Sequence, residues 1–230
     1  MTDVIGFPSA LRKHAVVGVL GSSLDLETAL EVAPGSFGCC ELRIDLLAGA
    51  EPETLERARV LSYPKIVTVR DPAEGGAHYL SLQQRRHLFE QWIPASAFID
   101  VELRNLRALE EIVHAAKAQG SGIIVSCHDF ERTPSLPVLQ DLLGRAQEGC
   151  PGAVFKVATR TESWADVQTL AALLGDSAQE IAVMGMGPLG KLSRLIFAKL
   201  GSRFTYAAMA ASVAAGQWQV EQLARVLAEI

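Results

Sequence analysis

Eight short apolar runs of strand type alternate with eight longer segments of helical period along this chain, and nothing constrains its fold more than that alternation. The runs are Val16–Leu20, Cys39–Asp45, Lys65–Arg70, Phe98–Glu102, Gly122–His128, Ala153–Ala158, Ile181–Met184 and Phe204–Ala208. Helices are predicted over 25–33, 53–60, 82–91, 105–119, 135–148, 162–174, 189–200 and 219–229. Strands separated by helices cannot be joined as hairpins, so the sheet is expected to be parallel with right-handed crossovers. Eight such units in 230 residues favour a closed (β/α)8 TIM barrel, a fold of ~250 residues, over an open doubly wound sheet. No linker-like stretch interrupts them, so residues 1–230 are expected to form a single barrel domain.

A barrel places its reactive groups at the carboxyl ends of the strands and in the loops that follow. The sixth run carries Lys156 between Phe155 and Val157, in surroundings that read as buried. An ammonium there snorkels to water, pairs with an acid, or is held as a neutral amine. In the second run a period of two puts Glu41, Arg43 and Asp45 on one face, expected at the barrel mouth. The third run ends at Arg70, and its loop brings Glu74 followed by Gly75 and Gly76, which suits either a lid or a surface turn. Asp100 and Glu102 share a face of the fourth run and need partners. His128 ends the fifth, where it can pack as a core residue or move protons for chemistry on Lys156.

A net charge of −5 argues against nucleic acid and against an anionic membrane surface as partners, which leaves a small molecule. No stretch approaches the ~20 apolar residues of a membrane span, and Asp3 argues against a leader, so the chain is expected in the cytoplasm. Cys39, Cys40, Cys127 and Cys150 have no metal or redox spacing and read as reduced core residues. His14, His78, His87 and His114 read as surface or loop residues without ligand spacing; no metal site and no cofactor are expected. Gly185, Gly187 and Gly190 match a dinucleotide fingerprint, but no acid occurs between Lys191 and Val220 to hold a ribose. The stretch reads better as a tight turn into a helix, with Pro188 in its first turn and Arg194 nearby, favouring an anion. From Thr205 to Gln217 the chain is a run of small residues that suits close approach to a ligand or to a subunit.

Together these residues supply an amine, a proton shuttle, a carboxylate and the guanidiniums of Arg43, Arg70 and Arg194, which suits a small anionic substrate with a carbonyl. An imine on Lys156 would make the adjacent C–H acidic enough for His128 to remove. The residues alone leave open another keto acid, or a barrel that only binds an anion.

In order and spacing, Glu41-x-Arg43-x-Asp45, Arg70 with Glu74-Gly-Gly, Ser126-x-His128-Asp-Phe, Phe155-Lys156, Ser193-Arg194 and Gly216-Gln217 resemble the type I 3-dehydroquinate dehydratases. The resemblance implies a metal-free (β/α)8 homodimer of the shikimate pathway that forms an imine on Lys156 and eliminates water syn. It implies that His128 takes the proton, that Glu74 sits in a closing loop and supports it, and that Glu41, Arg43, Arg70, Arg194 and Gln217 hold the carboxylate and hydroxyls. Two positions depart from the pattern: Gly18 stands where a first-strand serine is usual, and Val213 where a serine precedes the terminal glycine and glutamine. Ser212, one residue early, is the remaining candidate hydroxyl, and Ala215 replaces a proline. Weaker contacts to substrate hydroxyls are expected from these changes.

Overall fold

The expected alternation folds into one sheet of eight parallel strands, hydrogen-bonded in the order β7-β6-β5-β4-β3-β2-β1-β8. The computed structural model describes residues 15–33, 35–76, 79–175, 179–210 and 216–230. Its strands are β1 (Ala15–Leu20), β2 (Cys39–Arg43), β3 (Lys65–Thr68), β4 (Phe98–Glu102), β5 (Gly122–Asp129), β6 (Val154–Arg160), β7 (Ile181–Met186) and β8 (Phe204–Ala208). Its helices are α1 (Ser23–Glu31), α2 (Ile44–Leu47), α3 (Pro52–Val60), α4 (Leu82–Trp92), α5 (Glu110–Ala118), α6 (Leu136–Gly149), α7 (Trp164–Gly175), α8 (Gly190–Lys199) and α9 (Val220–Glu229).

Local chemistry sets the helix starts. Ser22 caps α1 by accepting from the Asp25 amide, Ser81 and Gln84 form a reciprocal capping box on α4, and Pro52 and Pro137 occupy first turns where no amide is needed. Pro188 does not: α8 begins at Gly190, after a turn in which Gly187 takes a φ of +78°.

Period-two alternation divides the side chains into two layers. Phe155 and Val157 of β6 point outward into the layer shared with the helices, with Phe89, Trp92 and Phe197. Val154 and Ala158 point inward with Val17, Val19 and Ile124. Low in the lumen, Phe98 and Phe204 pack edge to face with centroids 5.6 Å apart. The ionised side chains stand above this apolar plug, at the carboxyl ends of the strands.

Three expected boundaries shift for identifiable reasons. β2 stops at Arg43 because the chain turns into α2 and brings Asp45 back to that arginine, Nη2 to Oδ2 2.6 Å. Asp45 is therefore not a third residue of the strand face. β3 stops at Thr68 because the Val69 carbonyl accepts from Arg85 Nε and Nη2, at 3.0 and 2.8 Å. The helix expected over 105–119 begins only at Glu110, after a 3-10 turn over Leu103–Asn105.

Closure of the ring falls between β7 and β8. The Arg203 amide donates to the Ile181 carbonyl at 2.7 Å, and the Val183 amide to Ser202 Oγ at 2.9 Å. Higher up, Arg194 of α8 bridges the two strands, with Nη1 on the Gly185 carbonyl at 2.7 Å and Nε on the Tyr206 carbonyl at 3.2 Å. Among the described residues no helix is long and apolar enough to cross a membrane.

Candidate active site

Lys156 resolves its three possible fates by pairing. It is 3% exposed and donates to Asp100 Oδ2 at 2.8 Å and Glu41 Oε1 at 3.3 Å. Its ammonium lies 4.1 Å from the centroid of the Tyr206 ring, so an aromatic face supports the charge from another side. Glu41 is in turn held by Thr68 Oγ1 at 2.9 Å. Burial raises the Asp100 carboxyl, and Arg70 and Lys156 overcome that effect and hold it well below the usual carboxylate range.

His128 and Glu74 form the second unit. Glu74 ends a 3-10 turn over Pro72–Glu74 that Asp71 caps through the Ala73 amide, and Gly75 leaves it at a φ of +87°. Only glycine meets that demand, because a Cβ there would also lie 2.8 Å from the Phe130 ring. Glu74 Oε2 accepts from the His128 amide at 3.0 Å and lies 2.9 Å from Nδ1. An ionised Glu74 takes the Nδ1 proton in a hydrogen bond and leaves Nε2 with its lone pair. Desolvation, with Arg70 and Lys156, lowers the His128 pKa well below its ordinary value and keeps the ring neutral. Desolvation also pushes the Glu74 carboxyl up to about 7; Arg70 opposes this, and Glu102 and Asp100 add to it.

The three guanidiniums have different partners. Arg43 is bidentate on Asp45 and also donates to the Gly75 carbonyl at 3.2 Å. Arg70 is bidentate on Asp100 and reaches Glu102 at 3.0 Å and Ser126 Oγ at 2.8 Å, so internal acids already occupy this expected anion anchor. Arg194 donates to the carbonyls of Gly185, Gly190, Tyr206 and Gly216 and has no carboxylate partner among the described residues. Burial lowers its pKa to about 10.

One cavity of about 270 Å³ at the barrel mouth is bordered by Glu41, Arg43, Arg70, Glu74, His128, Lys156, Arg194 and Gln217. Ser212 and Val213 lie outside the described residues, as do His14 and His78. Gly18 is not in the wall: a Cβ there would point away from the lumen, 2.4 Å from Met209 Cε. Val19 faces the cavity at that level, so the altered position in β1 does not bear on ligand contacts. Cys127, on the outer face of β5, is only half-buried, while Cys39, Cys40 and Cys150 are buried free thiols.

Sequence reasoning missed Tyr206, Met184, Met186 and Phe130 in the wall and gave Asp100 no role. The even spacing of Asp100 and Glu102 was the available signal for Asp100. Tyr206 was hidden in the small-residue run of the eighth unit. Its hydroxyl is buried without a hydrogen-bond partner among the described residues. Tyr206→Phe is therefore expected to stabilise the fold by about 1 kcal/mol, seen as a rise in Tm, because the ring and its contact with Lys156 remain.

Fold and cavity together define a (β/α)8 barrel with a lysine-centred ionic pocket at its carboxyl mouth. The type I 3-dehydroquinase family model matches residues 17–230, and the chain belongs to that family. It is 33% identical over 206 residues to the 3-dehydroquinate dehydratase of Methanocella arvoryzae, covering 89% of this chain and 93% of that protein. The crystal structure of the 3-dehydroquinate dehydratase of Aquifex aeolicus superposes with a TM-score of 0.79 at 28% identity, over 94% of this chain and 98% of that one. That of the Geobacillus kaustophilus protein gives 0.83 at 23% identity, over 95% and 91%, and supports the fold.

Proposed function

We propose that this protein dehydrates 3-dehydroquinate to 3-dehydroshikimate through an imine on Lys156. The observation that carries the reading is a buried lysine, paired with Asp100 and Glu41, bordering the same cavity as a neutral histidine held by Glu74. Nζ attacks the ring ketone as a free amine, its ammonium proton having been released to solvent. Water leaves from the adduct, and the resulting iminium acidifies the neighbouring C–H. His128 Nε2 takes that proton and returns it to the departing hydroxyl on the same face, which is the syn course. Hydrolysis of the imine releases product and the amine. Arg194, the guanidinium without an acid, is the seat for the substrate carboxylate. Arg43, Arg70 and Glu41 position the ring, and Gln217 its hydroxyls.

The test is the rise in absorbance of the conjugated enone on adding 3-dehydroquinate, with borohydride reduction and mass mapping of the adduct to Lys156. No absorbance change and no adduct would sink the proposal. By the family resemblance it extends to a homodimer in the cytoplasm, read by light scattering and by cell fractionation.

Glu74 sets the expected pH dependence. Its carboxyl titrates at about 7, and the base-competent state needs it ionised so that the His128 proton stays on Nδ1. Protonated Glu74 donates to Nδ1 instead and drives the ring proton to Nε2. The kcat/KM profile is therefore expected to fall about tenfold per unit below pH ~7. In Glu74→Gln, whose amide does not titrate, that limb should flatten at a lower rate.

A further inference from the structure

We infer that Glu102, Arg85 and Asn105 form a buried positioning relay that holds the Glu74 turn, and through it the proton of His128, in register with the cavity. This rests on the reading of His128 as the base, but none of the three borders the cavity. Glu102 ends β4, is fully buried and accepts from four donors. Oε1 takes Arg70 Nη1 at 3.0 Å and the Asp71 amide at 2.9 Å. Oε2 takes Arg85 Nη2 at 2.5 Å and Asn105 Nδ2 at 3.1 Å. Each donor ties down a different element.

Arg85 enters from α4 and holds the end of β3 through the Val69 carbonyl. Asn105 bridges to Asp71 Oδ2 at 2.6 Å, and Arg85 Nη1 reaches the same oxygen at 3.4 Å. Asp71 is the root of the turn: its Oδ1 accepts from the Ala73 amide, and its carbonyl accepts from the amides of Glu74 at 2.8 Å and Gly76 at 3.0 Å. Glu74 then reaches His128. Hydrogen bonds thus run from α4 to the backbone of the Glu74 turn with both oxygens of Glu102 and of Asp71 occupied, and the Glu74 side chain carries the path on to the imidazole. Buried ion pairs of this kind contribute little net stability, but they fix geometry when every lone pair is used.

The role belongs to position, since a carboxylate drawn away from Nδ1 selects the Nδ1–H tautomer less strongly. Glu102→Gln keeps shape but turns an NH2 group toward Arg85 and Asn105, two donors. Asn105→Ala, at a half-buried site, removes the bridge between Asp71 and Glu102 but leaves Glu102 both arginines and the Asp71 amide, and guards against misfolding of the first variant. Both are expected to lower kcat ~10–100-fold with KM within about twofold. Borohydride trapping of the Lys156 adduct should keep its wild-type rate, because imine formation does not use the relay. In 15N spectra of the labelled imidazole, proton occupancy should shift from Nδ1 toward Nε2. Wild-type kcat with an unchanged tautomer would overturn the relay, as would a fall in trapping equal to the fall in kcat. If the wild type does not turn over 3-dehydroquinate, the functional reading fails and the tautomer shift alone decides the relay.

Discussion

Lys156→Ala is expected to lower kcat by at least ~10⁴-fold and to abolish borohydride-dependent labelling, because no other amine borders the cavity among the described residues. The same substitution removes a cation from between two buried acids. Asp100 keeps Arg70 and Ser126, and Glu41 keeps Thr68, so the loss of stability should be about 2–3 kcal/mol, at or below the usual cost of orphaning a buried charge. Its pH dependence has a definite sign. A carboxyl held below its unfolded pKa stabilises the fold at pH values above that unfolded pKa and loses the contribution as pH falls through the folded one. Without Lys156 the folded pKa of Asp100 rises, so the acid transition should move to higher pH in denaturation measured from pH 7 downward. An unchanged acid transition would show that Arg70 alone sets the Asp100 charge.

His128→Ala is expected to reduce kcat ~10²–10⁴-fold while leaving KM nearly unchanged, since the imidazole acts on the bound imine and not on binding. Its diagnostic is accumulation. The iminium still forms on Lys156 but loses its proton slowly, so rapid quenching with borohydride should label a larger fraction of the enzyme than in the wild type. A smaller labelled fraction would place His128 in imine formation instead. Glu74 would lose the Nδ1 contact yet keep the amide of residue 128, which limits the structural cost.

The barrel was legible because its signal is redundant: eight alternations each read from a dozen or more residues, and no single error changes their number. Lys156 was legible as an anomaly, a charge flanked by Phe155 and Val157. What escaped was the direction of long side chains. Period two correctly faced Glu41 and Arg43 toward the mouth but was carried past the strand end to Asp45, where a helical turn takes over. Arg70 borders the cavity as expected of a ligand-binding guanidinium, but its reach also lets it fold onto Asp100 and Glu102, acids that lie thirty or more positions away in sequence. Gly18 shows the opposite failure: a match by residue order put the departure in the cavity, whereas β1 turns Val19 inward. Partners distant along the chain leave no local pattern, which is why nothing in the sequence around Arg85 singled it out.

Arg194 fastens β7 to β8 at the one junction where no ladder pairs the strands among the described residues. On the proposed reading the same guanidinium receives the substrate carboxylate. Recognition and closure are then two uses of a single clasp, and a ligand that supplies the missing counter-charge tightens the hoop of strands as it binds. On that reading an Arg194 variant is expected to loosen the scaffold and the grip together, and its weakened affinity measures both.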